Sequence, residues 1–389
     1  MREFTPEQRE FRSAFRTFLE NEVAPHMDAW REVGVVDREV FRRAGEQGYL
    51  MIWPDERHGG SGERDFRYSQ IIIEESARTM ASDWYATLHS RVAGGYIDRF
   101  ATEEQKMRWL PRCASGEAIL AIAMTEPQAG SDLAGMRTNA VDKGDHFLLN
   151  GSKTYISNGI NADLVIVAAK TGDASGRSHQ ISLFVVEREM VGFTRGRKLK
   201  KIGMQAQDTA ELFFSDVRVP KENLLGVVGE GFRYLTECLA EERLVSTVQN
   251  LAGAWKAFEE TRDFVMQREL FGKRLADLQN TQFKLAALEA ELDVVQLYLD
   301  HCVAEHNAGR LNSNKAAKAK LVSSELQGRV VDECLQLHGG AGYMDEYPIS
   351  RLFTEARINR IAAGSSEVMK LIIGRDLLKG NYQSFFDRH

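Results

Sequence analysis

Ala123-Met-Thr-Glu-Pro-Gln-Ala-Gly-Ser-Asp-Leu-Ala-Gly135 is the stretch on which the reading of this chain turns. An apolar run (Ile119, Leu120, Ile122, Met124) ends here in a loop carrying two hydroxyls, Thr125 and Ser131, among small residues. Short polar side chains and glycine let backbone N–H groups approach a flat polar ligand closely. Gly-Ser-Asp taken alone equally suits a strand leaving a core through an ordinary glycine-rich turn.

Outward from this stretch the chain divides by period into three parts. Residues 1–118 read as an α-helical domain. Thr5 before Pro6, with Gln8 three residues on, marks a capped helix start, and Phe11, Phe15 and Phe18 fall on one face. The turn-rich His58-Gly-Gly-Ser-Gly62 separates these helices from one around Tyr68–Met80. Residues 119–228 read as an antiparallel β-barrel domain. Their β-rich runs are Ile119–Thr125, His146–Leu149, Leu164–Ala168, Ile181–Glu187 and Leu212–Phe214, with turn signals at Asn150-Gly151 and Asn158-Gly159. Residues 229–389 return to a helical period. Leu244, Val248, Leu251, Trp255 and Phe258 form one stripe, and Phe283, Ala287, Ala290, Val294, Leu297, His301 and Ala304 form the next. Further helices are predicted from about Asn314 to Leu337 and from about Ile349 to Leu378, giving an antiparallel four-helix bundle.

Composition narrows the function classes. The chain has 389 residues, 43% hydrophobic and 27% charged, as in a globular protein with a sizeable core. A net charge of −6 supplies no electrostatic reason to bind nucleic acid or an anionic membrane. No apolar run approaches the ~18 residues of a membrane span. Met1-Arg-Glu-Phe-Thr-Pro-Glu-Gln8 is acidic and amphipathic, unlike a signal or transit leader, and implies a cytoplasmic protein. The four cysteines are far apart and form no Cys-x-x-Cys, so they read as reduced thiols, with no metal site expected. Neither a Rossmann nor a Walker pattern is present.

Several further segments carry chemistry. Asn150-Gly-Ser-Lys-Thr-Tyr-Ile-Ser-Asn-Gly159 has the shape of a strand bracketed by two Asn-Gly turns. Gln267-Arg-Glu-Leu-Phe-Gly-Lys273 looks like a basic helix C-terminus closed by glycine, and Gln336-Leu-His-Gly-Gly-Ala-Gly-Tyr343 like a helix end with a glycine-rich turn. His338, alone at that end, suits a structural role better than a catalytic one. With Ala123–Gly135, these segments resemble, in order and over essentially the whole chain, the acyl-CoA dehydrogenase family. The similarity is greatest to its long-chain and isovaleryl-type branches, as in Glu259-Glu-Thr-Arg-Asp-Phe-Val265 and Leu335-Gln-Leu-His-Gly-Gly340.

The resemblance implies FAD-dependent α,β-dehydrogenation of an acyl-CoA to the trans-2-enoyl-CoA, a step of fatty acid β-oxidation. A carboxylate removes the α proton while the β hydrogen leaves as hydride to flavin N5. It implies FAD contacts from Ile122, Met124, Thr125, Ser131, Tyr155, Ser157, Arg268, Phe271, Gln279, Gln336, Gly340, Ser365 and Glu367. Acyl-CoA contacts are implied for Ser131, Ser178, His179, Arg243, Ala363 and Gly364. The guanidinium fork of Arg268 suits pyrophosphate oxygens, in the family those of a neighbouring subunit's FAD. A homo-oligomer, as a dimer or a dimer of dimers, and an electron-transfer flavoprotein as acceptor follow from the same resemblance.

Most members of the family carry the catalytic glutamate at the position of Ala363, in Arg360-Ile-Ala-Ala-Gly-Ser-Ser366, and a methyl group takes no proton. A step of ~100° per residue places Glu242 opposite the Leu244 stripe, on a face shared with Ser246, Gln249 and Gly253. By period alone Glu242-Arg243 also reads as an exposed ion pair. The long-chain and isovaleryl types use a glutamate directly before arginine here, which matches Glu242 and implies that it is the base. Burial beside an acyl chain is expected to raise its pKa. The backbone N–H at Ala363 still polarises the thioester carbonyl in this scheme. Trp84-Tyr85, where long-chain types have Pro-Gly, either reshape the acyl pocket or pack into the first domain's core. An oxidase or hydroxylase on the same fold, or an acyl-CoA-binding subunit without catalysis, are the alternatives.

Overall fold

The computed structural model describes residues 4–171 and 180–379. The chain forms two compact units that divide within one long helix, between Cys238 and Leu239; the N-terminal residues up to Glu7 group with the second.

The first unit begins with α1 (Pro6–Phe18), α2 (Met27–Val33), α3 (Glu39–Glu46), α4 (Phe66–Arg78), α5 (Gly94–Phe100) and α6 (Glu103–Ala114). The aromatic face of α1 meets Tyr49 and Trp84: ring centroids of Phe15 and Tyr49 lie 4.9 Å apart, and those of Phe18 and Trp84 5.8 Å. Trp84 is 1% exposed and also packs on Phe41, so it belongs to the core of the helical domain. A Thr102–Gln105 capping box starts α6.

The strands are β1 (Leu120–Ala123), β2 (Asn139–Asp142), β3 (His146–Ser157), β4 (Leu164–Lys170), β5 (Ile181–Glu187), β6 (Phe193–Lys198), β7 (Thr209–Pro220) and β8 (Leu224–Leu225). They form one sheet in the order β6-β7-β3-β2-β4-β5-β8, with β1 attached to β4. Two features depart from the antiparallel barrel expected from sequence. β1 and β2 both pair parallel to β4, and no pairing among the described residues joins β6 to β8 to close the sheet. The parallel pairing of β1 with β4 needs a long crossover, which residues 124–163 supply. β4 is buried on both faces. Leu164, Ile166 and Ala168 enter the core shared with the helices, while Val165, Val167 and Ala169 enter a second core with Phe147, Phe184 and Phe214. Asn150-Gly151, expected as a turn, lies inside the twelve-residue β3. Gly151 sits at a register shift with φ 144°, where a Cβ would come within 2.5 Å of Thr138 Oγ1.

The second unit is helical. Its elements are α7 (Gly231–Gln267, entered from the first unit), a hairpin of β9 (Glu269–Leu270) and β10 (Lys273–Arg274), then α8 (Gln279–Asn307), α9 (Ser313–His338), α10 (Pro348–Ala356) and α11 (Ser366–Leu377). Arg243 meets Ser313, Asn250 meets Ser323 and Phe264 meets His338, so α7 and α9 run parallel. α8 runs opposite to α9, through Lys284–Glu333 and Arg329–Glu291. The last predicted helix is broken in two at Ile361–Ser365, where Ala363 (φ 53°) and Gly364 (φ 88°) are left-handed. The stripe on α8 also differs from expectation. Leu288, Leu292, Leu299 and Val303 face inward, whereas Phe283, Val294 and Leu297 are 60–67% exposed. Periodicity locates an apolar face without saying what covers it.

Candidate active site

After β1 the chain makes a tight turn in which Glu126 and Ala129 exchange backbone hydrogen bonds of 2.9 and 3.0 Å. Glu126, 3% exposed, turns its carboxylate inward. It accepts from Lys153 Nζ at 2.8 Å, from the Arg137 N–H at 2.6 Å and from the Thr138 N–H at 3.0 Å. Lys153, with no exposure, also donates to the Met124 carbonyl at 3.1 Å. One buried ion pair therefore ties both ends of the loop 124–138 to β3. Burial works against the Glu126 charge, but Lys153, Thr138 and Arg137 outweigh it and hold the carboxyl well below the usual carboxylate range. The crest of the loop, with Gly130, Ser131 and Asp132, is exposed, and Met124 and Thr125 are half-buried.

The same strand presents the next pair of predicted residues. Lys153 and Thr154 both point inward, and the pairing with β7 shifts register between Lys153 and Ile156. The bulge turns Tyr155 outward with φ 59° and its side chain 70% exposed, beside half-buried Ser157. The Thr154 N–H donates to the Thr125 carbonyl at 3.0 Å, so the structure brings Thr125 and Tyr155 together. Asn158, also left-handed, reaches back to the Leu120 carbonyl. The turn that follows is clamped by arginines. Arg195 donates to the carbonyls of Gly159 and Ala162, and Arg188 to those of Ile160 and Asn161. Ile122 is half-buried on β1. Ser178 and His179 lie outside the described residues.

On α7 the face opposite Leu244 is sheltered: Ser246 and Gly253 are buried, and Gln249 and Glu242 half-buried. Gly253 lies against Gln327, whose Nε2, the end of a flexible side chain, would be 2.6 Å from a Cβ placed there. Glu241 is buried with its carboxylate 3.3 Å from His306 Nε2. Arg243, 3% exposed, donates to Ser313 Oγ at 2.8 Å, and its Nε has no partner. Burial pushes its guanidinium below the ordinary pKa, and the Glu242 charge offsets part of that. On α9 the ammonium of Lys320, with no exposure, donates to the Gly364 carbonyl at 2.6 Å. Burial and then repulsion by Arg243 bring its pKa down to about 8. Arg243, Lys320 and the Ala363–Gly364 turn are thus one cluster. Neither the Ala363 nor the Gly364 N–H meets an acceptor among the described residues.

The remaining predicted positions lie at helix ends. Phe264 stacks on His338 at 4.2 Å, which sets the ends of α7 and α9 side by side. Arg268, Gln336 on α9 and Gly340 in the turn that follows α9 are exposed at that end. His338 is buried and its Nδ1 lies 2.9 Å from the Cys334 carbonyl, in keeping with a structural role. Gly272 does not close α7. It shares with Phe271 the tip of the β9–β10 hairpin, where both residues have positive φ as a type I′ turn requires. Phe271 is 95% exposed. Gln279 opens α8, Ser365 caps α11 through the Val368 N–H, and Glu367 is exposed in its first turn. No cluster of metal-ligating side chains occurs among the described residues. No described helix is long and apolar enough to cross a membrane.

Sequence reasoning missed Glu126, Lys153 and Lys320, although the first two stand inside the quoted motifs. The available signal was a lysine at an inward strand position, and another among Ala316, Ala317, Ala319 and Ser323 on a helix face.

Three family models match this chain in sequence order. They describe the acyl-CoA dehydrogenase N-terminal domain (residues 5–117), middle domain (residues 121–217) and C-terminal domain (residues 229–378). The chain belongs to the acyl-CoA dehydrogenase family, and its activity is that of an acyl-CoA dehydrogenase in general terms. It is 46% identical over 376 residues to the mitochondrial long-chain specific acyl-CoA dehydrogenase of Mus musculus, covering 96% of this chain and 87% of that one. A crystal structure of acyl-CoA dehydrogenase from Geobacillus kaustophilus superposes with TM-score 0.94 at 46% identity, covering 97% of this chain and 99% of the other. A glutaryl-CoA dehydrogenase from Mycobacterium smegmatis, in complex with FADH2, gives TM-score 0.89 at 29% identity, covering 98% and 96%.

Proposed function

We propose that this protein oxidises an acyl-CoA thioester to the trans-2-enoyl-CoA with FAD, and that Glu242 is the base. The observation that carries this reading is the different setting of two adjacent carboxylates. Glu241 is buried against His306, whereas Glu242 stands on the sheltered polar face beside Arg243. Ala363 offers only a methyl group, so a base on α7 replaces the one lost from that position.

The donors present suit a flavin dinucleotide, as expected beside a relative in complex with FADH2. Tyr155 offers an exposed ring next to the hydroxyl of Ser157, above the loop of Ile122, Met124, Thr125 and Ser131. Gly340 has open space where a Cβ would stand, so a phosphate can approach the backbone closely there. Arg268, Phe271, Gln279, Gln336, Ser365 and Glu367 are the other proposed contacts. When bound, the flavin supplies the acceptor for the β hydrogen. Glu242 takes the α proton, and the unpaired N–H at Ala363 donates to the thioester carbonyl as negative charge develops there. Arg243 keeps a positive charge beside the base.

The exposed α8 stripe supports assembly into a homo-oligomer through that helix, with an electron-transfer flavoprotein as the proposed electron acceptor. Anaerobic stopped-flow reduction of the bound flavin by acyl-CoA tests the base. Glu242→Gln is expected to slow it by roughly 10²-fold or more, the usual scale for a general base. Near-normal reduction by Glu242→Gln, with Glu241→Gln inactive, overturns the assignment.

A further inference from the structure

Lys320 is an unusual core residue. Its side chain has no exposure, and its neighbours on the inward face of α9 are alanines and serines. No carboxylate among the described residues lies within ion-pair distance of its ammonium; the charges it feels are the like charge of Arg243 and, more weakly, the carboxylates of Glu325 and Glu367. Buried cations are normally paired with an anion, and an apolar side chain fills such a volume at lower cost. What the ammonium does hold is the carbonyl of Gly364, at 2.6 Å.

That carbonyl belongs to a turn that does not hold itself. Ala363 adopts φ 53°, a region an L-residue with a Cβ rarely enters, and Gly364 follows at 88°. Two consecutive left-handed residues leave the N–H groups of Ala363 and Gly364 without acceptors. The far side of the turn is tied to α9 as well, where Ser366 Oγ donates to Glu325 Oε1 at 2.6 Å. The Gly364 carbonyl shares its planar peptide unit with the Ser365 N–H, so the ammonium anchors the C-terminal edge of the turn from which the Gly364 and Ala363 N–H groups project, one and two peptide units upstream.

We propose that Lys320 is a positioning residue for the dehydrogenation, its ammonium locking the Ala363–Gly364 turn so that the free N–H groups meet the thioester carbonyl oxygen. This rests on the reading that the substrate is an acyl thioester. Substrate carbonyl recognition then depends on a side chain that never touches substrate.

The test separates carbonyl recognition from general integrity. Two ligands of matched chain length are titrated calorimetrically into FAD-loaded enzyme: the 2-enoyl-CoA thioester, which has the carbonyl, and the S-alkyl-CoA thioether, which lacks it. Wild type is expected to prefer the thioester, and Lys320→Met to weaken it by roughly tenfold, the low end for disturbing an oxyanion donor. Thioether affinity is expected to stay within about twofold, since no carbonyl contact is there to lose. Lys320→Gln, which keeps a shorter donor, should fall between the two and provides the measurement if the Met variant does not fold. An unchanged thioester-to-thioether ratio in both variants, or parallel loss of both ligands in a folded FAD-loaded variant, overturns the positioning role. A wild type that binds neither ligand overturns the substrate reading itself.

Discussion

Replacing Lys153 by methionine probes the ion pair beneath the loop 124–138. The substitution keeps most of the side-chain volume and removes the ammonium from a fully buried position. Glu126 then remains at 3% exposure, with the Arg137 and Thr138 N–H groups and the Gln128 amide as donors but without a counter-charge. Breaking one side of a buried pair costs about 3–5 kcal/mol, and the donors that remain place this case near about 3 kcal/mol. For a unit of this size that is a fall in Tm of roughly 6–12 °C.

The pH dependence makes the test sharper. In the wild type the Glu126 carboxyl titrates below its ordinary value of 4.5, so its contribution is complete above that pH and is lost as the pH falls. Without Lys153, burial dominates and the carboxyl takes up its proton at higher pH. The stability gap between variant and wild type should therefore be widest near neutrality and narrow toward pH 4. Urea unfolding followed by far-UV circular dichroism at several pH values measures the gap. A gap below about 1 kcal/mol at neutral pH, or one that is the same at pH 4, refutes the reasoning. The doubly neutral Glu126→Gln/Lys153→Met variant should recover part of the loss.

Other substitutions probe separate elements. Trp84→Ala should cost about 3–5 kcal/mol in urea unfolding and leave the acyl-chain optimum of the folded fraction unchanged; a shifted optimum without loss of stability would return Trp84 to the pocket. Gly364→Ala should destabilise by about 1–2 kcal/mol, because its φ of 88° disfavours a Cβ, whereas Met369 Cε, 2.6 Å from that Cβ, is a flexible end that can move; thermal unfolding indistinguishable from wild type counts against the strained turn. Leu297→Glu on the exposed face of α8 should lower the molar mass seen in light scattering, while Val191→Glu, at a position 89% exposed in the other unit, should not. Equal masses for all three proteins would remove α8 from the interface.

The candidate site was legible where its chemistry lies along the chain. Ala123–Gly135, Asn150–Gly159 and Glu242-Arg243 are contiguous signatures, and the methyl group at Ala363 is visible without coordinates. Less legible were groups whose purpose is set by a distant partner. Glu126 and Lys153 are 27 residues apart, and Lys320 and Gly364 are 44. Nothing local distinguishes a lysine that will be buried from one that will be solvated. Asn150-Gly151 likewise has the residues of a turn, yet becomes a bulge because Thr138 lies against it and β3 continues to pair with β7.

The sequence by itself determined the succession of helical, β and helical segments, the apolar stripe of α7 and the absence of a carboxylate at position 363. Periodicity and residue type are properties of the chain, so they survive without coordinates. Tertiary structure alone decided that the α8 stripe faces outward, that Trp84 is a core residue, and that β1 and β2 join β4 in parallel. It also broke the last helix at Ala363, where the backbone is left-handed and Lys320 reaches the Gly364 carbonyl. Each of these depends on what lies across from a residue, and burial, pairing and strain exist only once distant parts of the chain share one space.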